Sequence, residues 1–422
     1  MSRPPLRIAI LGAGTVGRAV IDELTAHPER RQSADGRPLV LAGIAVRDVD
    51  RAREGGVDGA LLTDAPAHLV ADPDADVIVE VMGGDEPART LIAAALGAGK
   101  PVVTANKHVV AHHGPELEAI ARRTGTAFRF EASVAGGIPV LGPLAADLAG
   151  NAIVRVRGIV NGTTNYILTA MAQEGRPYGE VLEDAQELGY AEADPTGDVE
   201  GDDAVNKLVI LARLAFGQWL DPATVGRRPP TARGDGRPGI TGVTDQEVEG
   251  AAALGLAIKL LATATRRDDG TIEAAVIPTA VPADSPFGWT DGVTNRVEVD
   301  AEPLGTVHLA GPGAGGPATS SAVLGDLVAI ARGLGSTWAG LAPAVGPANA
   351  AADPLDGRRH WYAFVPAVKD GPLPEILDEA ASVDFDEGTA IRSEVATLAE
   401  AKAAFAALLP DGVDVTLYPV DD

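Results

Sequence analysis

Arg7-Ile8-Ala9-Ile10-Leu11-Gly12-Ala13-Gly14-Thr15-Val16-Gly17 is the stretch that decides the fold. Its apolar half reads as a buried strand, and Arg18 to Ala26 follows with helical spacing. Between a strand and a helix, Gly12 permits a tight turn and Gly14 lets a pyrophosphate approach the backbone. Gly17 lets helix and strand pack closely, and the helix N-terminus receives the phosphate. Gly12, Gly14, Thr15, Val16 and Gly17 are therefore candidate dinucleotide contacts, and a plain glycine turn is the competing reading. The downstream rhythm favours the first. Strands are expected at 39–46, 76–82 and 101–105, alternating with helical runs at 87–99 and 115–124. That alternation implies an α/β fold with a parallel doubly wound sheet.

The second strand, Leu39 to Val46, ends in Arg47-Asp48. A carboxylate here suits the ribose 2′-OH of NAD, whereas an arginine accommodates a 2′-phosphate. Arg47 comes first, which favours NADP; Asp48 keeps NAD open.

Outward from this unit, a chain of 422 residues suggests two or three domains. It is 46% apolar and 22% charged, which excludes a mostly disordered chain. With only 4% aromatics, its cores must be built from Ala, Val, Leu and Ile. No apolar run of roughly 18 residues occurs and no convincing leader opens the chain, so neither a membrane span nor export is expected. A cytoplasmic location is the expectation. The absence of cysteine excludes disulfides, thiolate nucleophiles and Cys-ligated zinc. A net charge of −25 is opposite to the basic face that nucleic acid requires.

Lysine is the sharper compositional clue. There are six, Lys100, Lys107, Lys207, Lys259, Lys369 and Lys402, against 28 arginines. Where arginine supplies nearly every surface cation, a lysine kept within a motif points to chemistry, because ammonium can be tuned to exchange protons. Lys207 lies in such a motif. The segment Gly189-Tyr190-Ala191-Glu192-Ala193-Asp194-Pro195-Thr196-Gly197-Asp198-Val199-Glu200-Gly201-Asp202-Asp203 runs into a helix from Ala204 to Phe216. Asp203 and Lys207 share one face of it. The bland reading is a surface ion pair. Leu208-Val209-Ile210-Leu211 instead indicates a buried helix, in which a lysine needs a carboxylate partner and is poised for proton transfer.

Two further polar, glycine-rich stretches, Glu131 to Pro139 and Asn161-Gly162-Thr163-Thr164-Asn165, end strand-like runs at 126–130 and 152–160. Loops at such places carry sites in α/β sheets. The histidines, His112-His113 included, fall outside these blocks. Neighbours on a helix point apart, so that pair reads as surface.

Taken together with Thr104-Ala105-Asn106-Lys107 and Gly311-Pro312-Gly313-Ala314-Gly315, these blocks resemble homoserine dehydrogenase over residues 7–330. The resemblance implies NAD(P)-linked interconversion of L-homoserine and L-aspartate 4-semialdehyde, in threonine and methionine biosynthesis. It implies Lys207 as the proton-transfer lysine, Asp203 as the carboxylate holding the substrate, and Glu192 as the group binding its amino end. Lys107 resembles a second lysine near the nicotinamide. Thr104, Lys107, Gly189, Glu192 and Gly315 join the candidate cofactor contacts. Glu131, Val134, Gly136 and Ile138 resemble the residues that offer oxygens, mostly backbone, to a monovalent cation, typically sodium. The partners implied are the two substrates and further copies of the chain, as a homodimer or homotetramer.

The domain division expected is 1–138 plus 312–340 for the cofactor, 139–311 for substrate and dimerisation, and 358–422 as a third unit. Arg227–Gly242 reads as an exposed loop and Gly340–Gly357 as a linker. The tail reads as strand (360–368), helix (374–381), strands (383–386 and 388–395), helix (398–409) and strand (413–419). That order resembles an ACT module, the small regulatory domain of many family members. Asp370-Gly371-Pro372-Leu373-Pro374 puts a leucine where such modules commonly have a glycine, so an ACT-like tail with weak or no response to threonine is expected. Two rivals remain: a dehydrogenase for another small amino-acid-like substrate, and a non-catalytic nucleotide-sensing regulator.

Overall fold

The computed structural model describes residues 4–26, 37–338, 340–344, 348–366, 368 and 373–421. Leu6–Leu11 (β1) runs through the middle of a six-stranded sheet with Leu39–Ala45 (β2), Leu62–Thr63 (β3), Val77–Glu80 (β4), Val102–Thr104 (β5) and Phe128–Arg129 (β6). Every pairing in it is parallel, and the order is β3-β2-β1-β4-β5-β6. The helices between the strands are Thr15–Ala26 (α1), Val49–Glu54 (α2), Pro66–Ala71 (α3), Ala88–Gly97 (α4) and Lys107–Thr124 (α5).

Both faces of this sheet are covered, which is why β1 is an unbroken apolar run rather than an alternating one. Ile8 and Ile10 share a cluster with Val20, Ile21 and Leu24 of α1 and with Val323 and Leu327 from the late helix Gly316–Ala331. Ala9 and Leu11 belong to the opposite cluster, with Leu91 and Ile92 of α4 and Val109 and Val110 of α5. The strand order reverses between β1 and β4, so the crevice beyond their carboxyl ends is the expected ligand position. The helix expected over 115–124 begins already at Lys107, because the Asn106 side chain caps it by accepting from Val109 N.

The second sheet is antiparallel, in the order β11-β10-β7-β8-β9. Its strands are Ala152–Ile159 (β7), Leu256–Arg266 (β8), Ile272–Pro282 (β9), Thr294–Glu302 (β10) and Gly305–Pro312 (β11). Its helices are Leu141–Ala145 (α6), Gly162–Glu174 (α7), Tyr178–Glu187 (α8), Thr196–Val199 (α9), Asp202–Phe216 (α10) and Asp245–Ala253 (α11). α10 packs against α5, α6 and strands β7, β8 and β9. A helix enclosed by a sheet and other helices is apolar nearly all round, as its sequence is. Gly316–Ala331 (α12) returns to the first sheet and lies on α1.

The tail contains Trp361–Val365 (β12), Glu375–Asp378 (α13), Ala381–Phe385 (β13), Gly388–Arg392 (β14), Leu398–Leu408 (α14) and Tyr418–Pro419 (β15). Its sheet has the order β13-β14-β12-β15, all antiparallel. The turn Asp370-Gly371-Pro372 lies outside the described residues; Leu373 is exposed.

Two expectations are corrected. Arg227–Gly242 is not simply an exposed loop, since Pro229 to Ala232 are buried under the tail. There Ala232 N donates to Val415 O and Leu417 N to Pro230 O. Its Pro/Gly/Arg composition suggested solvent, but the tail's backbone supplies its hydrogen bonds instead. The described part of 340–357 is likewise tied down: Asn349 N donates to Trp219 O and Ala352 N to Ile272 O. The tail core absorbs Ala232, Ala275 and Ile277, so the tail is docked rather than tethered.

Candidate active site

The loop before α5 is built on a buried carboxylate. Glu80, at the end of β4, accepts from Thr104 Oγ1 at 2.6 Å and from Met82 N at 2.8 Å. The Thr104 hydroxyl in turn accepts from Asn106 N at 2.9 Å, and Asn106 Nδ2 donates to Gly84 O at 2.8 Å. Burial pushes the Glu80 carboxyl up, against these hydrogen bonds. The Thr104 side chain is thus fully enclosed and spent on shaping the loop that delivers Lys107.

Lys107 opens α5 and reaches Asp203 Oδ1 at 2.7 Å, while Lys207 reaches Asp203 Oδ2 at 2.7 Å. One carboxylate therefore bridges two ammonium groups from two helices. Asp203 and Lys207 are buried, but the Lys107 side chain is 41% exposed, open to the crevice. Lys207 Nζ also donates to Val160 O at 2.6 Å. Gly201 starts α10 at φ +89°, a left-handed turn that L side chains disfavour.

The charges are unequal in consequence. Burial alone would raise the Asp203 carboxyl, but Lys207 and then Lys107 outweigh it and hold it well below the usual carboxylate range. Asp203 raises Lys107 against its desolvation. Burial pushes Lys207 down, and the nearby Lys107 charge adds to this while Asp203 opposes it. Two lysines on one carboxylate are thereby driven apart, one firmly charged and one nearer to giving up its proton.

Three residues present in the quoted blocks but given no role complete the cluster. Asn161 Nδ2 donates to Asp203 Oδ2 at 2.9 Å and to Asp198 Oδ1 at 2.8 Å, and its Oδ1 caps α7 through Thr164 N at 2.9 Å. The Thr163 hydroxyl donates to Tyr190 O at 2.6 Å. Burial and the adjacent Asp203 charge raise the Asp198 carboxyl. The signal that could have marked Asp198 is its place five residues before Asp203, on the short helix that turns into α10. Glu192 is exposed, and its charge contributes to raising Lys107.

Of the candidate nucleotide contacts, the glycine turn and Gly315 are brought together. A Cβ on Gly17 would stand 2.1 Å from Gly12 O, so the turn admits no side chain there; Gly14 has open space in the same test. The start of α12 meets the start of α1, since a Cβ on Gly316 would lie 3.0 Å from Thr15 O. Gly315, at φ +98°, and Gly189, at φ +75°, also face open space. Arg47 is exposed at the end of β2, whereas the Asp48 carboxylate accepts from Arg51 N at 3.0 Å and caps α2.

The Glu131 carboxylate accepts from Val140 N and Leu141 N at 2.8 Å and from Gly142 N at 2.7 Å, so it anchors the start of α6. The chain beyond it turns through φ +54° at Ala135 and +53° at Gly136. Among the described residues, the carbonyls of Val134, Gly136 and Ile138 accept no hydrogen bond, although all three residues are buried. His113 bonds Asp85 at 2.7 Å, and His108 stacks on His112 with ring centroids 4.3 Å apart.

Known proteins similar to this chain belong to one family. Family models described as "Homoserine dehydrogenase, NAD binding domain" and "Homoserine dehydrogenase" match residues 12–131 and 139–328. Homoserine dehydrogenase of Mycobacterium tuberculosis (strain ATCC 25618 / H37Rv) is 47% identical over 332 residues, covering 78% of this chain and 73% of that one. The crystal structure of a homoserine dehydrogenase from Thiobacillus denitrificans superposes with a TM-score of 0.87 at 35% identity, covering 100% of this chain and 99% of that chain. A hyperthermophilic archaeal homoserine dehydrogenase in complex with NADPH covers 79% of this chain and 99% of its own, with TM-score 0.65 at 28% identity.

Proposed function

The chain belongs to the homoserine dehydrogenase family, and from that premise we propose how its residues divide the work. It is an oxidoreductase whose activity is the NAD(P)-dependent interconversion of L-homoserine and L-aspartate 4-semialdehyde. The bridged Lys107–Asp203–Lys207 cluster carries the assignment. In the oxidative direction, neutral Lys207 takes the hydroxyl proton as the carbonyl forms; in reduction, its ammonium returns that proton. The bound nicotinamide supplies the hydride chemistry. Lys107 stays charged at the crevice and steadies the negative charge developing on the substrate oxygen. Asp203 holds both lysines in place, and Glu192 receives the substrate ammonium.

Gly12, Gly14, Thr15, Val16 and Gly17, with Gly315, would hold the pyrophosphate of the nucleotide at the ends of β1 and β4. Thr104 would contribute through the backbone it shapes, and Gly189 would be a further cofactor contact. NADP is the preferred cofactor: Arg47 stands unencumbered where the 2′-phosphate would lie, and Asp48 is occupied as a helix cap. Replacing Arg47 with serine is expected to weaken NADP about 10- to 100-fold, corresponding to about 1.5–3 kcal/mol for a charged hydrogen bond, with little change for NAD. Titration of both cofactors checks this, and equal losses would reject the assignment.

The buried carbonyls of Val134, Gly136 and Ile138, which have no N–H partner among the described residues, together with an oxygen of Glu131 would suit a hard monovalent cation such as sodium. Such an ion would brace the loop after β6, which meets the Pro312–Ala314 turn through Gly137 N and Pro312 O at 3.1 Å. The domains divide as 1–138 plus 312–340, 139–311 and an ACT-like 358–422. Exposed Trp289, Val293 and Leu304 on the middle domain favour a homodimer or homotetramer. No helix among the described residues is long and apolar enough to cross a membrane, and the cytoplasm is the proposed location.

The test of this reading is formation of reduced cofactor, followed by absorbance, when the protein is given L-homoserine and NADP+. Turnover of another amino alcohol but not homoserine would favour the alternative substrate. Binding of cofactor without turnover of either would favour the nucleotide sensor.

A further inference from the structure

Helices α5 and α10 run side by side and in the same direction, and they are paired at both ends. At the start, Lys107 meets Asp203 at 2.7 Å. Near the far end, Glu118 meets Arg213 twice, Oε1 accepting from Nη2 at 2.7 Å and Oε2 from Nε at 3.0 Å. The two pairings are separated by 11 residues on one helix and 10 on the other, about 15–16 Å of helical rise in each. Arg213 is 0% exposed and Glu118 2%.

Glu118 is saturated. Its Oε1 also accepts from Arg122 Nε at 2.8 Å, and its Oε2 from Trp219 Nε1 at 2.8 Å. Arg213 Nη2 and Arg122 Nη2 then hold the carbonyls of Ala342 and Leu341, on the segment that follows α12. Trp219 lies against Gly114 of α5, where a Cβ would come within 2.4 Å of its ring. A buried ion pair adds little to stability over an apolar pair of equal volume. What it adds is direction, because a bidentate carboxylate–guanidinium contact tolerates little sliding.

We propose that Glu118 and Arg213 are positioning residues, whose bidentate pair sets the axial register of α5 against α10 and so the Lys107–Asp203–Lys207 arrangement. The proposal rests on the catalytic reading above and adds a remote determinant to it. Loss of the pair lets α5 slide, and Lys107 withdraws from Asp203. A misplacement of about 1 Å far from the chemistry is enough to cost up to about 10²-fold. The titratable and charged groups around Lys107 include Asp203, Asp198, Glu192, Lys207 and the neighbouring His108. Those facing Lys207 are Asp203, Lys107 and Asp198.

Two variants of the full chain test it: Glu118→Gln, and the charge-free double replacement Glu118→Leu with Arg213→Met. The first readout is independent of activity. With six lysines in the chain, ¹³C-labelled side chains give a spectrum simple enough to titrate Lys107 directly. Both variants are expected to bring Lys107 back toward its ordinary value. Homoserine turnover is expected to fall about 10- to 100-fold with NADP affinity changed less than about threefold. The rising limb of homoserine oxidation should also move to higher pH, because Lys207 loses a neighbouring positive charge. A folded double variant with wild-type Lys107 titration and turnover would overturn the proposal. Collapse of both variants, the charge-free one included, would also overturn it and assign the pair to stability alone. A shifted Lys107 titration with unchanged turnover would support the register but count against the catalytic reading.

Discussion

Replacing Lys207 with alanine is expected to lower turnover about 10²–10⁴-fold while NADP affinity stays within a few-fold of the parent. The residue is enclosed on α10, its ammonium held by Asp203 and the Val160 carbonyl rather than by the glycine turn assigned to the nucleotide. Its loss removes the proton acceptor and leaves the cofactor platform intact. The pH dependence gives a second handle. Burial places the Lys207 ionisation below its ordinary 10.5, so homoserine oxidation, which needs the neutral amine, should rise with pH through a window below that value. Reduction needs the ammonium and should fall through the same window. Lys207→Arg should flatten both limbs, because a guanidinium does not exchange its proton in this range. Steady-state rates in each direction from pH 6 to 10, together with NADP titration of the alanine variant, check the prediction. Cofactor affinity lost in step with turnover would make the lysine structural.

Asp203→Asn is the second large effect expected. The substitution keeps the shape of the side chain but leaves Lys207 buried beside Lys107 without the carboxylate that bridges them. Stripping one partner from a buried pair costs about 3–5 kcal/mol, and in this site the loss falls on stability, substrate binding and proton transfer together. The homoserine KM should rise about 10-fold or more and kcat should fall by a similar factor. The Lys207 ionisation should drop further, moving the oxidation limb to lower pH. The stability sign is also fixed. The Asp203 carboxyl titrates below its ordinary 3.8 in the folded chain, so its stabilisation is present above that value and is lost as pH falls through and below it. The asparagine variant should therefore be less stable near neutrality and lose less on acidification. Thermal melts at pH 7 and pH 2 would show this. Unaltered KM, kcat and melting would reduce the Asp203–Lys207 contact to an incidental ion pair.

The parallel sheet, the glycine turn and the enclosed α10 were legible along the chain because each depends on near neighbours. Ile8 and Ile10 alternate with Ala9 and Leu11 onto two covered faces. Gly17 is forced by the Gly12 carbonyl within one turn, and Gly12 by its own φ of +106°. Asp203 and Lys207 share a helix face at a spacing of four, and the apolar residues after Lys207 already announced that it would need a partner. The family's motifs then supplied roles that spacing alone does not give. Tertiary structure decided what joins distant segments. Lys107 and Asp203 are 96 positions apart, and only the packing of α5 on α10 makes one carboxylate serve two lysines and drives their ionisations apart. Asp198 looked like one acid among several until burial beside Asp203 singled it out. Asp48 read as one strand-end carboxylate, and the structure shows that its Oδ1 caps α2. Arg227–Gly242 and the stretch after Gly340 have the composition of loops, yet the docked tail and β9 bind their backbones. Glu118 and Arg213 gave no local sign, since a charge on a helix reads as solvated until the other elements close over it. Short-range sterics and periodicity are written in order along a chain, whereas burial and the distance between charges exist only once separate elements have packed.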